Sequence, residues 1–233
     1  MNLPPLIKAR LIKRYKRFLA DVELENGDVV VAHCANSGSM LGLKDEGNTV
    51  YLSANTNPKA KLDWRWELVD VNGTLVNINT SRPNHIVEEG ILDGTIVELQ
   101  GYGNLRREVK YGAGSRIDLL LEQSSTGPDL CYVEVKSVTL AEGDQALFPD
   151  AVTARGAKHL DELIQMIKNG HRAVMVYLVG RGDCTSFAAA RDIDPHYASK
   201  LDEAMTCGVE ALAYDCDITT DHIRVRGPVP IAK

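Results

Sequence analysis

No stretch of the chain is apolar for long enough to cross a bilayer, and the N-terminus, Met1-Asn2-Leu3-Pro4-Pro5, runs into charge instead of an apolar signal core. The expectation is a soluble, cytoplasmic protein with no membrane partner. Cysteine is sparse and unpatterned. Cys34, Cys131, Cys184, Cys207 and Cys216 are odd in number, widely scattered and never in C-x-x-C spacing, which argues against a disulfide framework or a structural zinc site. No phosphate loop is present, and Gly101-Tyr102-Gly103 lacks the third glycine of a dinucleotide fingerprint because position 106 is Arg. Nothing resembles a strong helix-turn-helix, and no paired carboxylates point to a sugar-processing enzyme. With a net charge of −6 over 233 residues there is no general basic coat either, so a polyanion must be met by a local patch.

What the chain does contain is charge in unexpected places. Arg116-Ile117-Asp118-Leu119-Leu120-Leu121 and Cys131-Tyr132-Val133-Glu134-Val135-Lys136 are strand-like segments, yet they carry Asp, Glu and Lys among apolar residues. Side chains i and i+2 share a face of a strand, so Glu134 and Lys136 are neighbours, with Val133 and Val135 on the other face. The run Gln123-Ser124-Ser125-Thr126-Gly127-Pro128-Asp129 is rich in turn formers and predicts a hairpin that brings Asp118 towards that pair. Two carboxylates beside an ammonium suit a hard divalent cation, with waters and phosphate oxygens filling its other positions. The competing reading is a solvated sheet face. A second triplet, Glu108-Val109-Lys110, with Asp93 upstream, repeats the pattern, but Asp93 precedes Gly94 at an expected helix end, whereas Asp118 lies inside an apolar run.

Charge is also uneven along the chain. Residues 1–80 carry ten Lys/Arg against nine Asp/Glu, and residues 81–233 carry sixteen against twenty-three. Lys8, Arg10, Lys13, Arg14, Lys16 and Arg17 all precede the first acidic residue, Asp21, with Tyr15 and Phe18 interleaved. Such a segment fits a nucleic-acid contact, with cations for phosphates and rings for bases. It also fits an edge strand protected by cations. Strand alternation through the segment would put Lys13 and Arg17 on one face and Arg14 and Lys16 on the other.

Residues 1–80 read as short strands divided by turns: 11–24, 29–32, 49–52, 64–71 and 74–78, with Asn26-Gly27-Asp28 and Asn72-Gly73 as hairpin turns. An OB-like barrel is expected there, with His33–Met40 as one of its loops. From 81 to 233 the grammar changes. A helix is expected at 84–92, then strands at 105–111, 116–122 and 130–139, a helix at 150–169, a strand at 173–179, a helix at 195–206 and a strand at 209–214. On the long helix Arg155, Lys158, His159 and Glu162 share the face opposite the apolar one. That face either looks into a cleft or is a solvated surface.

The order α-β-β-β-α-β, with an acidic residue on the second strand and E-x-K on the third, resembles the PD-(D/E)XK nuclease fold. The whole chain resembles the SfsA (sugar fermentation stimulation protein A) family. The likeness is carried by residues 11–22, the His33–Met40 loop, Glu108–Gly112, Ser115–Asp118, Tyr132–Leu140, Phe148–Gly156 and Lys158–Leu160. The resemblance implies an α+β protein, an N-terminal OB-like β-barrel (1–80) followed by a PD-(D/E)XK nuclease-like α/β domain (81–233). It also implies nucleic-acid binding, DNA before RNA, and nuclease activity with Mg²⁺ or Mn²⁺. The family is further associated with regulation of sugar use, notably of maltose, so a non-enzymatic DNA-binding regulator is the alternative. The catalytic positions carried over are Asp118, Glu134 and Lys136, with Asp118, Glu134 and Glu108 towards the metal. Lys13, Arg14, Lys16, Arg17, Arg155 and Lys158 are the expected nucleic-acid contacts. The proline that names the motif is replaced by Ile117, and Ala35 stands where relatives usually carry Pro.

Overall fold

A computed structural model describes residues 1–112 and 114–232. The first six strands are β1 (Leu6–Tyr15), β2 (Leu19–Leu24), β3 (Val29–Cys34), β4 (Thr49–Ala54), β5 (Trp64–Val71) and β6 (Thr74–Asn77). They pair in the order β3-β2-β1-β4-β5-β6, and a parallel pairing of β3 with β5 closes the first five into a barrel. Alternation fills it. Leu11, Ala20, Val22, Ala32, Val50, Leu52 and Trp66 point inward and are fully buried, while intervening residues such as Lys13, Asp21 and Val31 face outward. The indole N–H of Trp66 donates to the carbonyl of Leu68 at 2.8 Å, so the largest core side chain leaves no polar atom unpaired.

One expectation fails at the barrel's first turn. Residues 11–24 are not a single strand, because Lys16 and Arg17 take left-handed backbone angles, with φ of 48° and 63°, and reverse the chain between β1 and β2. Neither residue type favours that conformation, so the turn is invisible to composition. The face alternation expected for Lys13, Arg14, Lys16 and Arg17 therefore ends at Tyr15.

The second domain contains α1 (Pro83–Leu92), β7 (Tyr102–Tyr111), β8 (Ser115–Ser124), β9 (Leu130–Val138), β10 (Leu140–Glu142), β11 (Gln145–Phe148), α2 (Ala154–Lys168), β12 (Arg172–Val179), β13 (Ser186–Ala189), α3 (Pro195–Thr206), β14 (Glu210–Ile218) and β15 (Ile223–Pro228). Its main sheet runs β15-β14-β12-β9-β8-β7. The meander β7-β8-β9 is antiparallel, whereas β9, β12 and β14 are parallel. Both faces are covered. Leu160, Leu163 and Ile164 of α2 pack with Tyr177 and Met175 on one side, and Ile86, Val87 and Ile91 of α1 pack with Val133, Val135 and Val176 on the other. That double burial explains the unbroken apolar run of β12. A small sheet, β10-β11-β13, and the last strand β15 were not foreseen.

The two domains are joined by polar contacts. Glu67 of β5 is fully buried and accepts from Ser53 Oγ (2.7 Å), Asn79 Nδ2 (2.7 Å) and the Arg82 guanidinium (2.7 Å), the last at the start of α1. Asp150 does not open α2 as expected. Its carboxylate accepts from Met40 N (3.0 Å) and Ser39 Oγ (3.1 Å), bridging the barrel loop to the second domain, and Thr153 caps the helix instead by accepting from Gly156 N at 3.1 Å. At the other end of the chain, Leu3 N donates to Asp221 O and Ile223 N to Met1 O, which stitches the first residues onto β15.

Candidate active site

The site grows out of the β8–β9 pairing. Leu119 lies opposite Val133, which puts Asp118 alongside Glu134 one step further. Backbone pairing ends there, and the Asp118 carboxylate accepts the N–H of Val135 at 2.8 Å in place of a ladder bond. Its second oxygen accepts from Asn84 Nδ2 of α1 at 2.8 Å. Glu134 is only 2% exposed. Its Oε1 accepts from Lys136 Nζ at 2.7 Å and from His159 Nδ1 of α2, while its Oε2 is buried with no partner. His159, 5% exposed, accepts at Nε2 from Arg155 Nε at 3.2 Å, which fixes Nδ1 as the protonated nitrogen facing Glu134.

The electrostatics follow from this geometry. Burial, reinforced by the neighbouring Glu134 charge, pushes the Asp118 carboxyl up to about 6, against the weaker pull of the Val135 and Asn84 hydrogen bonds and Lys136. Burial would raise Glu134 too, but the His159 hydrogen bond and the Lys136 ammonium outweigh it and hold Glu134 below the usual range. Two carboxylates crowded together, one of them with an unused buried oxygen, can accept a cation. The donor set is all oxygen, as a hard divalent ion requires. Among the described residues no three His, Cys, Asp or Glu side chains converge closely enough to form a ready-made ligand cluster. Such a cation would thus draw its remaining ligands from water and substrate.

These residues line a cleft of 330 Å³ between the domains, roofed by Asn36, Ser37 and Gly38 of the barrel and bordered by Asp150 and Arg155. The cleft shares Asp118, Arg155 and His159 with a second hollow of 420 Å³, whose rim includes Glu108, Arg116 and Lys158.

Two family profiles match the chain, one described as the SfsA N-terminal OB domain over residues 12–78 and the other as the sugar fermentation stimulation protein RE domain over 81–222. The chain belongs to the SfsA family. A sugar fermentation stimulation protein homolog of Paramagnetospirillum magneticum is 55% identical over 97% of this chain and 94% of its own. One of Geobacter sulfurreducens is 53% identical over 99% and 98%. Among solved structures, SfsA of Pyrococcus furiosus in complex with Ca²⁺ superposes with a TM-score of 0.90 at 27% identity, covering 100% of this chain and 98% of the other. The architecture is accordingly the SfsA one, an OB barrel followed by the family's RE domain, a mixed α/β unit.

Within that SfsA architecture the expected site residues are distributed unevenly. Asp118, Glu134 and Lys136 are brought together. Glu108 lies on β7 between Arg107 and Val109, which pair with Leu119 and Ile117, so it stands opposite Asp118 on the rim of the second hollow, with a left-handed φ of 54°. Its triplet partner Lys110 is exposed, and Asp93 closes α1 by accepting from Thr95 N, so the Asp93/Glu108/Lys110 alternative is not assembled. Arg155 and Lys158 reach the cleft and its extension. The half-buried Arg14 guanidinium is engaged by main-chain carbonyls. It donates to the carbonyls of Arg17 (3.0 Å), Asn36 (2.8 Å) and Gly38 (3.1 Å), and so supports the cleft roof. Lys13 pairs with Asp21 at 3.4 Å and covers the Tyr15 ring. Lys16 and Arg17 are exposed at the turn. The expected site set omits two residues that touch its carboxylates, Asn84 and His159. His159 carries a signal in sequence, an imidazole on the polar face of a strongly amphipathic helix, but only the packing of α2 shows which way that face points.

Proposed function

We propose that the protein is a divalent-metal-dependent nuclease acting on DNA, with RNA the second choice. The observation that carries this reading is the facing pair Asp118 and Glu134, with Glu134 Oε2 buried and unpartnered and Lys136 alongside. Asp118 and Glu134 would hold Mg²⁺ or Mn²⁺, and Glu108 would add a ligand or a hydrogen bond from β7. The Ca²⁺ in the Pyrococcus furiosus relative supports an oxygen-liganded cation in this family. When bound, the cation offsets charge developing on the phosphodiester and lowers the pKa of a water beside it. His159 and Lys136 hold Glu134 in one orientation, as partners of ligating carboxylates do. Lys136 also orients the attacking water and stabilises the crowded phosphate as a compact charge. Arg155 and Lys158, on the cleft rim, hold flanking phosphates.

The test is labelled single- and double-stranded DNA and RNA incubated with pure protein in Mg²⁺, Mn²⁺ or EDTA. Cleavage should require the metal, disappear in Asp118→Asn and survive in Asp93→Asn. Cleavage by Asp118→Asn at the parent rate would reject the site. DNA bound but never cut, under any metal, would replace this reading with a non-enzymatic DNA-binding regulator of sugar, notably maltose, metabolism.

A further inference from the structure

We propose that the polynucleotide this site takes is an unpaired strand, led into the cleft across a stacking platform made by Phe18 and His33. The inference rests on the nuclease reading for its chemistry, but its binding half stands alone. The cleft floor carries Asp118 and Glu134, and its roof is fixed. Ser39 Oγ donates to the Asp150 main-chain carbonyl at 2.7 Å, Met40 N binds the Asp150 carboxylate, and Arg14 grips the roof carbonyls from behind. Gly38 shows how tightly the roof is set, since a Cβ there would stand 2.6 Å from Asp150 Oδ2. A cleft of 330 Å³ bridged in this way admits one nucleotide's backbone and base, whereas a duplex would need the bridge to open.

The approach to the roof is built for bases. Phe18 is 47% exposed, although an aromatic side chain of that size is normally buried, and it stacks on His33 with ring centroids 6.4 Å apart and planes 20° from parallel. The backbone ties this platform to the cleft, because Cys34 N donates to Phe18 O at 2.9 Å and Asn36, two residues on, already lines the cleft. Lys16 and Arg17 flank Phe18 in the exposed turn and supply charge for the phosphates. An exposed ring beside cations, leading to a narrow polar cleft, fits a strand whose bases are free to stack and does not fit one whose bases are paired.

The experiment measures equilibrium binding in EDTA of fluorescent oligothymidylate, oligouridylate and a blunt mixed-sequence duplex to the parent protein and to Phe18→Ala, Phe18→Tyr and His33→Ala. Expected are tighter binding of the single strands than of the duplex at equal salt, a loss of about tenfold on Phe18→Ala, and recovery on Phe18→Tyr, which retains the ring. The two single strands separate DNA from RNA. Duplex bound as tightly as single strand, or Phe18→Ala unchanged, overturns the proposal even where cleavage is seen. Single-strand binding that depends on Phe18, without cleavage in any metal, sustains it while removing the nuclease reading.

Discussion

Glu67 in the barrel and Glu134 in the second domain are both strand glutamates removed from water beside a cation, but their surroundings are completed differently. Both oxygens of Glu67 are engaged, one by Ser53 and the other by Asn79 and Arg82. Glu134 spends one oxygen on Lys136 and His159 and leaves the other with nothing. A buried polar atom without a partner is rare and costly in a folded protein, and where it persists it calls for an explanation. The closed network welds the domains together, and the open one leaves an acceptor free. Each carboxyl is held below its ordinary range against the upward push of burial, by Arg82 in the first case and by His159 and Lys136 in the second. Charge alone does not tell the two apart. The unfilled valence does.

Isosteric amides at both positions sharpen the contrast most. Glu134→Gln should lower cleavage about a thousandfold, about 4 kcal/mol of transition-state stabilisation, because the cation loses a charged ligand. Its folding stability should change less than that of Glu67→Gln. Single-turnover cleavage and urea unfolding on the same preparations measure both. If Glu134→Gln cut DNA normally, the open oxygen would have no chemical role.

Glu67→Gln should show the reverse pattern, a loss of about 2 kcal/mol in urea unfolding from the weakened charged hydrogen bond to Arg82, with cleavage per folded molecule near that of the parent. A fall in cleavage as large as that of Glu134→Gln would mean that the domain weld is part of the chemistry.

A smaller effect should appear with pH in EDTA. Asp118 is raised from an ordinary 3.8 to about 6 on folding, so the folded state binds its proton more tightly between those values. Metal-free stability should therefore rise as pH falls from about 7 towards 4, by about 1–2 kcal/mol once partial solvent screening is allowed for. Glu67 and Glu134 act in the opposite sense, and their stabilisation is lost only as pH falls below the ordinary glutamate range. Thermal midpoints at pH 7, 6 and 5 should climb in the parent and flatten in Asp118→Asn. An equal climb in both proteins would assign the effect to another group.

Much of this was legible because it is local. The barrel follows from short alternating runs broken by Asn26-Gly27-Asp28 and Asn72-Gly73, and the Asp118–Glu134 approach follows from one hairpin and a period of two. Failures cluster where a residue's role depends on a distant partner. Arg14 looks like a phosphate ligand until the carbonyls of residues 36 and 38 are found in front of it. Asp150 looks like a helix starter until the loop of residues 39–40 reaches it. His159 gains its meaning only when α2 docks over β9. The strands β10, β11 and β13 have three or four residues each, too few for alternation to stand out, and two of them pair in parallel across 40 residues of chain.

The stitching of Leu3 to Asp221 and of Ile223 to Met1 also sets a timetable. During synthesis the barrel can close as soon as its own five strands have emerged, but Met1 and Leu3, which lie ahead of it, must wait for a partner that the ribosome delivers more than two hundred residues later. Such pairings, with Met1 and Ile223 separated by 222 residues, are among the last to be rewarded by contact formation. Residues 1–3 are therefore expected to settle only after β15 has formed.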